Sequence, residues 1–70
     1  MVSFKEFMER LIDYLIKNDK ELFRYLDNCF RTDKCDKDRI VGAFDKAYMH
    51  YLFFGNIETA AEIIRNETIG

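Results

Sequence analysis

The stretch AYMHYLFFGN, residues 47–56, decides the fold because it contains the end of one helix and the start of the next. Gly55 readily takes the left-handed conformation that ends a helix. Asn56 is a good N-cap, because its side-chain oxygen accepts a hydrogen bond from a backbone N–H in the first turn of a new helix. The stretch therefore predicts a helix over about residues 37–54 and another over about 57–66. Numbered along the chain, these are helices 3 and 4.

Two further helices are predicted upstream from the spacing of apolar residues. Ser3 and Glu6 have the spacing of a capping box, and the apolar residues that follow recur every three or four positions, which predicts helix 1 over about residues 4–17. The residues of this apolar stripe are Phe4, Phe7, Met8, Leu11, Ile12, Leu15 and Ile16. Asp19 is a good N-cap for helix 2, which we expect over about residues 20–31.

The 70 residues are expected to form a single all-α domain, a compact four-helix arrangement of two antiparallel helical hairpins with helix 3 at its centre. We predict a loop at residues 31–36 and a frayed tail at residues 67–70. The small side chains of Ala60 and Ala61 should let helix 4 approach helix 3 closely. A chain this short buries little of its surface and often needs a disulfide, a metal or a partner subunit.

Composition narrows the class of protein. The hydrophobic fraction of 49% and charged fraction of 34% indicate a folded domain rather than a disordered chain. The formal net charge is −2, whereas nucleic-acid binders are usually basic. Charged residues interrupt any signal-peptide pattern, and no apolar run approaches the roughly 20 residues of a membrane span. We therefore expect a cytoplasmic protein whose partner is a protein, including a second copy of itself, rather than nucleic acid or membrane.

Helix 3 carries more apolar residues than one face requires. Projected at about 100° per residue, one broad side holds the core candidates Ile40, Val41, Phe44, Ala47, Tyr48, Tyr51, Leu52 and Phe54. The opposite side holds the candidate interface, which consists of Gly42, Lys46, Met49, His50 and Phe53. A mid-helix glycine costs about 1 kcal/mol relative to alanine and is tolerated where another backbone comes close. Three interpretations stay open: the chain itself covers both sides, the second stripe is a homodimer interface, or it docks a different macromolecule.

No catalytic, cofactor or metal site is predicted. Cys29, Cys35 and His50 would supply three zinc ligands, whereas a structural zinc site needs four with closely paired spacing. The span from Cys29 to Cys35 permits a disulfide, but the intracellular interpretation argues against it, and a cysteine on the apolar stripe of helix 2 behaves as a small hydrophobe. No nucleophile or carboxylate is placed to form a catalytic dyad with His50. Asp33, Asp36 and Asp38 do not fit an EF-hand calcium loop, because a loop that starts at Asp36 would have Ile40 and Ala47 at ligand positions 5 and 12.

The spacing of Phe44, Tyr51, Gly55-Asn56, Ala60 and Ile64 resembles that of one tetratricopeptide hairpin. The chain departs from that pattern in bulky Tyr48, where the family has a small residue, and in Glu67, where it has alanine. Such repeats need about three copies to stack, and no second copy is present. The resemblance therefore implies a closely packed helical hairpin.

The profile of a short, acidic, aromatic-rich chain without a catalytic motif predicts a non-enzymatic protein-interaction module. We expect a regulator, inhibitor or adaptor that acts through helix 3 as a homodimer or on another protein, and that a phage or mobile element encodes. Many of its residues have codons rich in A and T, which suggests an AT-rich source genome. The alternative is a nucleic-acid-associated transcriptional regulator that binds as a dimer. Helix 4 argues against it, because Glu58, Glu62 and Glu67 would place negative charge against the phosphates of a nucleic acid.

Overall fold

The computed structural model describes residues 1–69, which form four helices and confirm the predicted all-α class. In chain order the helices are α1 (Phe4–Asn18), α2 (Lys20–Thr32), α3 (Lys37–Phe54) and α4 (Ile57–Thr68). Because α2 continues to Thr32, the loop begins two residues later than predicted. The prediction of a frayed tail over residues 67–70 is wrong for residues 67 and 68, which are helical, and Gly70 lies outside the described residues.

Capping side chains fix where each helix begins. At all four N-termini the capping oxygen accepts a hydrogen bond of 3.1–3.2 Å from the backbone N–H three residues further on, and the residues concerned are Ser3, Asp19, Asp36 and Asn56. Gly55 has a φ of 67° and donates its N–H to the carbonyl oxygen of Tyr51 at 2.7 Å, which ends α3. These interactions are local in sequence, so the breaks between helices follow from a few residues each.

The core is built from buried side chains of all four helices, and those of α2 are Leu22, Leu26 and Cys29. The buried side chains of α1 are Phe7, Leu11 and Leu15, and those of α4 include Ala60, Ala61 and Ile64. α4 packs most extensively on α3, as expected from its alanines, and the buried side chains of α3 include the equally small Ala43 and Ala47. α1 packs against all three other helices, so it shares the central position predicted for helix 3 alone.

Aromatic side chains connect α1 with α3. The Phe7 ring centroid lies 5.4 Å from that of Tyr48 and 5.3 Å from that of Tyr51. Both tyrosine hydroxyls are also bonded, since Tyr48 donates to the carbonyl oxygen of Val2 at 2.7 Å and Tyr51 accepts from Arg10 Nη1 at 2.6 Å. Bulky Tyr48, which departs from the tetratricopeptide pattern, therefore has a specific packing role here.

α2 has little contact with α3; it packs against α1, buries Leu22 and Leu26, and is also held by side-chain tethers. Arg65 of α4 binds the Asp19 carboxylate at 2.8 Å and that of Glu21 at 3.0 Å. A disulfide between Cys29 and Cys35 joins the last turn of α2 to the loop before α3. The expectation of free cysteines is therefore wrong. The turn after α2 brings the two Cα atoms to 5.3 Å, which is within the ordinary range for a disulfide.

Candidate interaction surface

The candidate interface predicted on helix 3 lies mainly on the outside of the molecule. The Met49 side chain is 52% exposed and that of Phe53 is 76% exposed. A Cβ atom built on Gly42 would meet nothing within 4 Å, so no other part of the described chain approaches this glycine. The interpretation in which the chain itself covers both sides of helix 3 is therefore wrong, and the two interpretations that involve a partner stay open.

Two of the predicted interface residues contact their own chain. Lys46 Nζ binds Glu67 Oε1 at 2.7 Å and lowers the pKa of that carboxyl through the hydrogen bond and the charge. His50 is half-buried, and its ring centroid lies 4.5 Å from that of Phe54. Its Nδ1 is buried without a hydrogen-bond partner among the described residues. Of the predicted interface residues, Gly42, Met49 and Phe53 are thus the ones most available to a partner.

The exposed side of α3 carries a row of residues spaced four apart, which we call the α3 ridge: Val41, Asp45, Met49 and Phe53. Residues four apart form the commonest kind of ridge in helix packing. Val41 was predicted as core but is 55% exposed, because the adjoining side of α3 is left open towards α2. Phe54 was also predicted as core and is 71% exposed, since it lies at the very end of the helix.

A second row with the same spacing lies on α1 and consists of Phe4, Met8, Ile12 and Ile16. Met8 is half-buried, and the other three side chains are exposed. The sequence stripe placed these residues in the core together with Phe7 and its neighbours. The structure divides that stripe into a buried row and this outer one. The sequence does indicate this division, because the apolar stripe of α1 is wider than the strip of helix surface that a single neighbouring helix covers.

An apolar groove lies between α1, α2 and α3 and adjoins the α3 ridge. Its first part has a volume of about 130 Å³ and lies against Met8, Leu11, Ile12, Leu15, Phe23, Leu26, Asp27, Phe30 and Phe44. Its second part has a volume of about 400 Å³ and lies against Phe4, Met8, Phe30, Val41, Phe44 and Asp45. The two parts share Met8, Phe30 and Phe44, so they form one continuous groove. The sequence did not reveal it, since it depends on how far apart α2 and α3 stand.

Two aromatic rings hold this groove open. The Phe30 ring of α2 and the Phe44 ring of α3 are nearly parallel, at an interplanar angle of 6° and a centroid distance of 6.2 Å. Phe44 is buried, whereas Phe30 is exposed. The two rings therefore lie between α2 and α3 at this point and keep the two helix backbones apart.

The charged residues that line the groove are both acidic. Asp27 lines the first part and pairs with Arg31 Nε at 3.1 Å. Asp45 lines the second part and makes no ion pair with any of residues 1–69. The groove therefore offers apolar surface with one uncompensated carboxylate at the edge that it shares with the α3 ridge.

Within residues 1–69, no three histidine, cysteine or acidic side chains lie together as metal ligands. The disulfide leaves neither Cys29 nor Cys35 as a thiolate for zinc. No helix in the same range is long and apolar enough to cross a membrane.

No protein-family model, no characterised protein and no solved structure matches this chain significantly. The likeness to a tetratricopeptide hairpin thus stays a local likeness of spacing over residues 44–64.

Proposed function

We propose that this protein is a small non-enzymatic interaction module, a regulator, inhibitor or adaptor, that binds another protein or a second copy of itself. The surface used is the α3 ridge together with the adjoining groove. The observation that carries the proposal is that exposed apolar side chains of three helices surround one groove rather than being scattered. Contiguous apolar patches are typical of protein-binding surfaces, and methionine is adaptable at such sites.

The energetics favour use of the ridge and the groove together. Covering an exposed Phe or Met side chain contributes roughly 1.5–3 kcal/mol. Association itself costs an estimated 4–15 kcal/mol in lost freedom of motion. Met49 and Phe53 alone therefore give too little for a stable complex. Phe30 and the α1 row add the apolar surface that a complex of ordinary affinity requires.

The substitution Phe53→Asp tests the proposal. Because this side chain is 76% exposed, we expect the variant to keep its helical circular dichroism spectrum and to melt close to the parent protein. We expect it to lose self-association or the retention of partner proteins from a lysate of the source cell. Light scattering, thermal melting and mass spectrometry of the retained proteins provide the readouts.

Phe54→Asp is the matched control. Phe54 is also exposed and lies next to Phe53, but about 100° further around the helix and off the ridge. It should leave both mass and partner retention unchanged. Unfolding of Phe53→Asp would show that Phe53 belongs to the core, and parent-like behaviour of both variants in every assay would remove the ridge as an interface.

The nucleic-acid alternative gains no specific support. Several basic side chains already lie in ion pairs with carboxylates, namely Lys17, Arg31, Lys37, Lys46 and Arg65. A surface that neutralises phosphates needs basic groups that are free to do so. Salt-dependent binding of the purified chain to DNA or RNA would reverse this preference.

The cytoplasm is the location that we propose, following the expectation from sequence. Disulfides are more typical of oxidising compartments, so the state of Cys29 and Cys35 in the cell tests this part of the proposal. Alkylation of both thiols after rapid acid quenching of cells would support a reducing compartment. A bridge protected from alkylation would contradict it.

A further inference from the structure

We infer that the groove and the α3 ridge bind a helix of another protein that carries a basic side chain beside its apolar anchors. This inference rests on the proposed function and deepens it, since it states the chemistry of the partner. It follows from the shape of the groove, the spacing of the α3 ridge and the position of Asp45.

The shape favours a helix as the occupant. The two parts of the groove are adjacent and share the side chains of Met8, Phe30 and Phe44, so one ligand can place two neighbouring apolar side chains in them. Side chains three or four residues apart on a helix lie about 5–6 Å from one another, which suits adjacent pockets. The α3 ridge has the four-residue spacing that packs against the same spacing on another helix.

The Asp45 carboxylate determines which charge we expect on the partner helix. It stands between Val41 and Met49 on the ridge and lines the second part of the groove. A wholly apolar helix laid across this surface would remove water from the carboxylate without replacing its hydrogen bonds, which is unfavourable. A lysine or arginine on the incoming helix restores a charged partner. Asp27 does not make the same demand, because Arg31 already binds it.

The same charge argues against a second copy as the occupant. In a two-fold symmetric interface, the ridge of one copy meets the ridge of the other. The only charge that the ridge supplies is the Asp45 carboxylate, and neighbouring Lys46 is engaged by Glu67. A dimer through the ridge would thus enclose two carboxylates and no free cation. Gly42, beside the ridge, leaves open space that the stem of a foreign basic side chain can occupy.

A pair of synthetic peptides tests the inference on the full chain. Both are amphipathic helices of about 14 residues, or roughly 21 Å, with identical leucines at helical spacing. One has lysine and the other glutamate at the positions that flank the leucines. Binding is followed in the ¹H–¹⁵N correlation spectrum of the labelled protein at physiological salt. We expect the lysine peptide to shift resonances of the ridge and groove, and to bind at least about tenfold more tightly than the glutamate peptide.

Asp45→Asn provides the decisive variant, and Asp38→Asn is its control on the exposed first turn of the same helix. We expect Asp45→Asn to weaken binding of the lysine peptide about tenfold, as the loss of a charged hydrogen bond would. Asp38→Asn should change it by less than about twofold, as is usual for an exposed charge. Circular dichroism establishes that both variants are folded.

Each other outcome overturns the inference in a distinguishable way. Equal binding of both peptides in the groove, unaffected by Asp45→Asn, would remove the basic partner but leave the proposed interaction surface intact. Lysine-peptide shifts spread over all acidic faces would show non-specific attraction. Failure of both peptides to shift groove resonances would overturn the helix partner, and the Phe53→Asp experiment then decides the proposed function separately. A concentration-dependent dimer that protects the ridge would establish a second copy as the occupant.

Discussion

α2 and α4 are of similar length, 13 and 12 residues, yet they are held in the molecule by different means. α4 has its most extensive contact with α3, and its buried side chains include the small Ala60 and Ala61 as well as the fully buried Ile64. α2 touches α3 only slightly and leaves Phe30 exposed. Its packing is against α1, where contact is as extensive as that of α4, and the disulfide at Cys29 and the Arg65 guanidinium add tethers to the rest of the molecule.

The size of the contacting side chains explains the difference. Helix axes approach to about 8–10 Å, and the side chains at the contact set the distance. Alanines on α3 and α4 allow a close contact, which becomes core. The ring pair of Phe30 and Phe44 keeps α2 from closing on α3, and the space becomes a groove. One face of the molecule is therefore closed, whereas the other is left able to take a partner.

Breaking the close contact should have the largest effect on stability. Ile64→Ala removes a fully buried side chain of α4, the helix that packs most extensively on α3, and should lower the free energy of unfolding by about 2–5 kcal/mol. Ile16→Ala, in the exposed row of α1, is the same chemical change and should cost clearly less. Urea denaturation followed by circular dichroism measures both. Equal losses would show that α4 is no better packed than the open face.

Opening the disulfide should have the next largest effect, because it removes a tether of α2. The loop between Cys29 and Cys35 is short, and its closure contributes about 2 kcal/mol by chain entropy. We expect Cys35→Ser to be destabilised by about that amount, and the parent protein under a thiol reductant to match it. Identical unfolding curves with and without reductant would mean that packing alone holds α2, as it holds α4.

The sequence was sufficient for the helices and their breaks. Ser3, Asp19 and Asn56 each satisfy backbone groups within three residues, and Gly55 ends α3 within its own turn. Such interactions depend on neighbours along the chain, so spacing alone identifies them. The Met49 part of the candidate interface was visible for the same reason, as a stripe opposite the main apolar side of one helix.

The groove and the disulfide required the positions of separate helices. Periodicity places Phe4 and Phe7 on the same broad side of α1, but only the location of α3 decides that Phe7 is buried and Phe4 exposed. In the same way, Val41 is exposed because α2 does not close over it. A wide stripe gives the direction of apolar surface but not the width that neighbouring helices cover.

Removing the tether between α2 and α4 should have a smaller effect than opening the disulfide. Asp19 caps α2 and also accepts from Arg65 Nη1 at 2.8 Å. Asp19→Ala loses both interactions and should cost about 1 kcal/mol from the cap, with a further loss from the ion pair. Asp19→Asn keeps a capping oxygen and loses only the charge, so its midpoint in urea should lie between those of the parent and Asp19→Ala. If Asn and Ala were equally destabilising, the pairing with Arg65 rather than the cap would dominate.

The smallest effect is expected from two exposed ion pairs, one beside each of the compared helices. Lys46 lowers the pKa of Glu67 below its ordinary value of 4.5, and Lys37 lowers that of Asp33 below 3.8, in both cases chiefly by a hydrogen bond to the carboxylate. A carboxyl with a lower pKa in the folded state binds fewer protons there than in the unfolded state. Its contribution to stability is therefore present above the ordinary pKa and is lost as the pH falls through the lowered one.

Because Glu67 has the higher ordinary pKa, the contact between α3 and α4 should begin to weaken first on acidification, and the turn after α2 at a lower pH. Glu67→Gln should flatten the upper part of the acid limb of the melting temperature against pH. Asp33→Asn should flatten the lower part, and asparagine suits the left-handed backbone at residue 33. If the melting temperature fell with pH in the same way in both variants and in the parent protein, neither ion pair would contribute measurably to the stability of α4 or of the turn after α2.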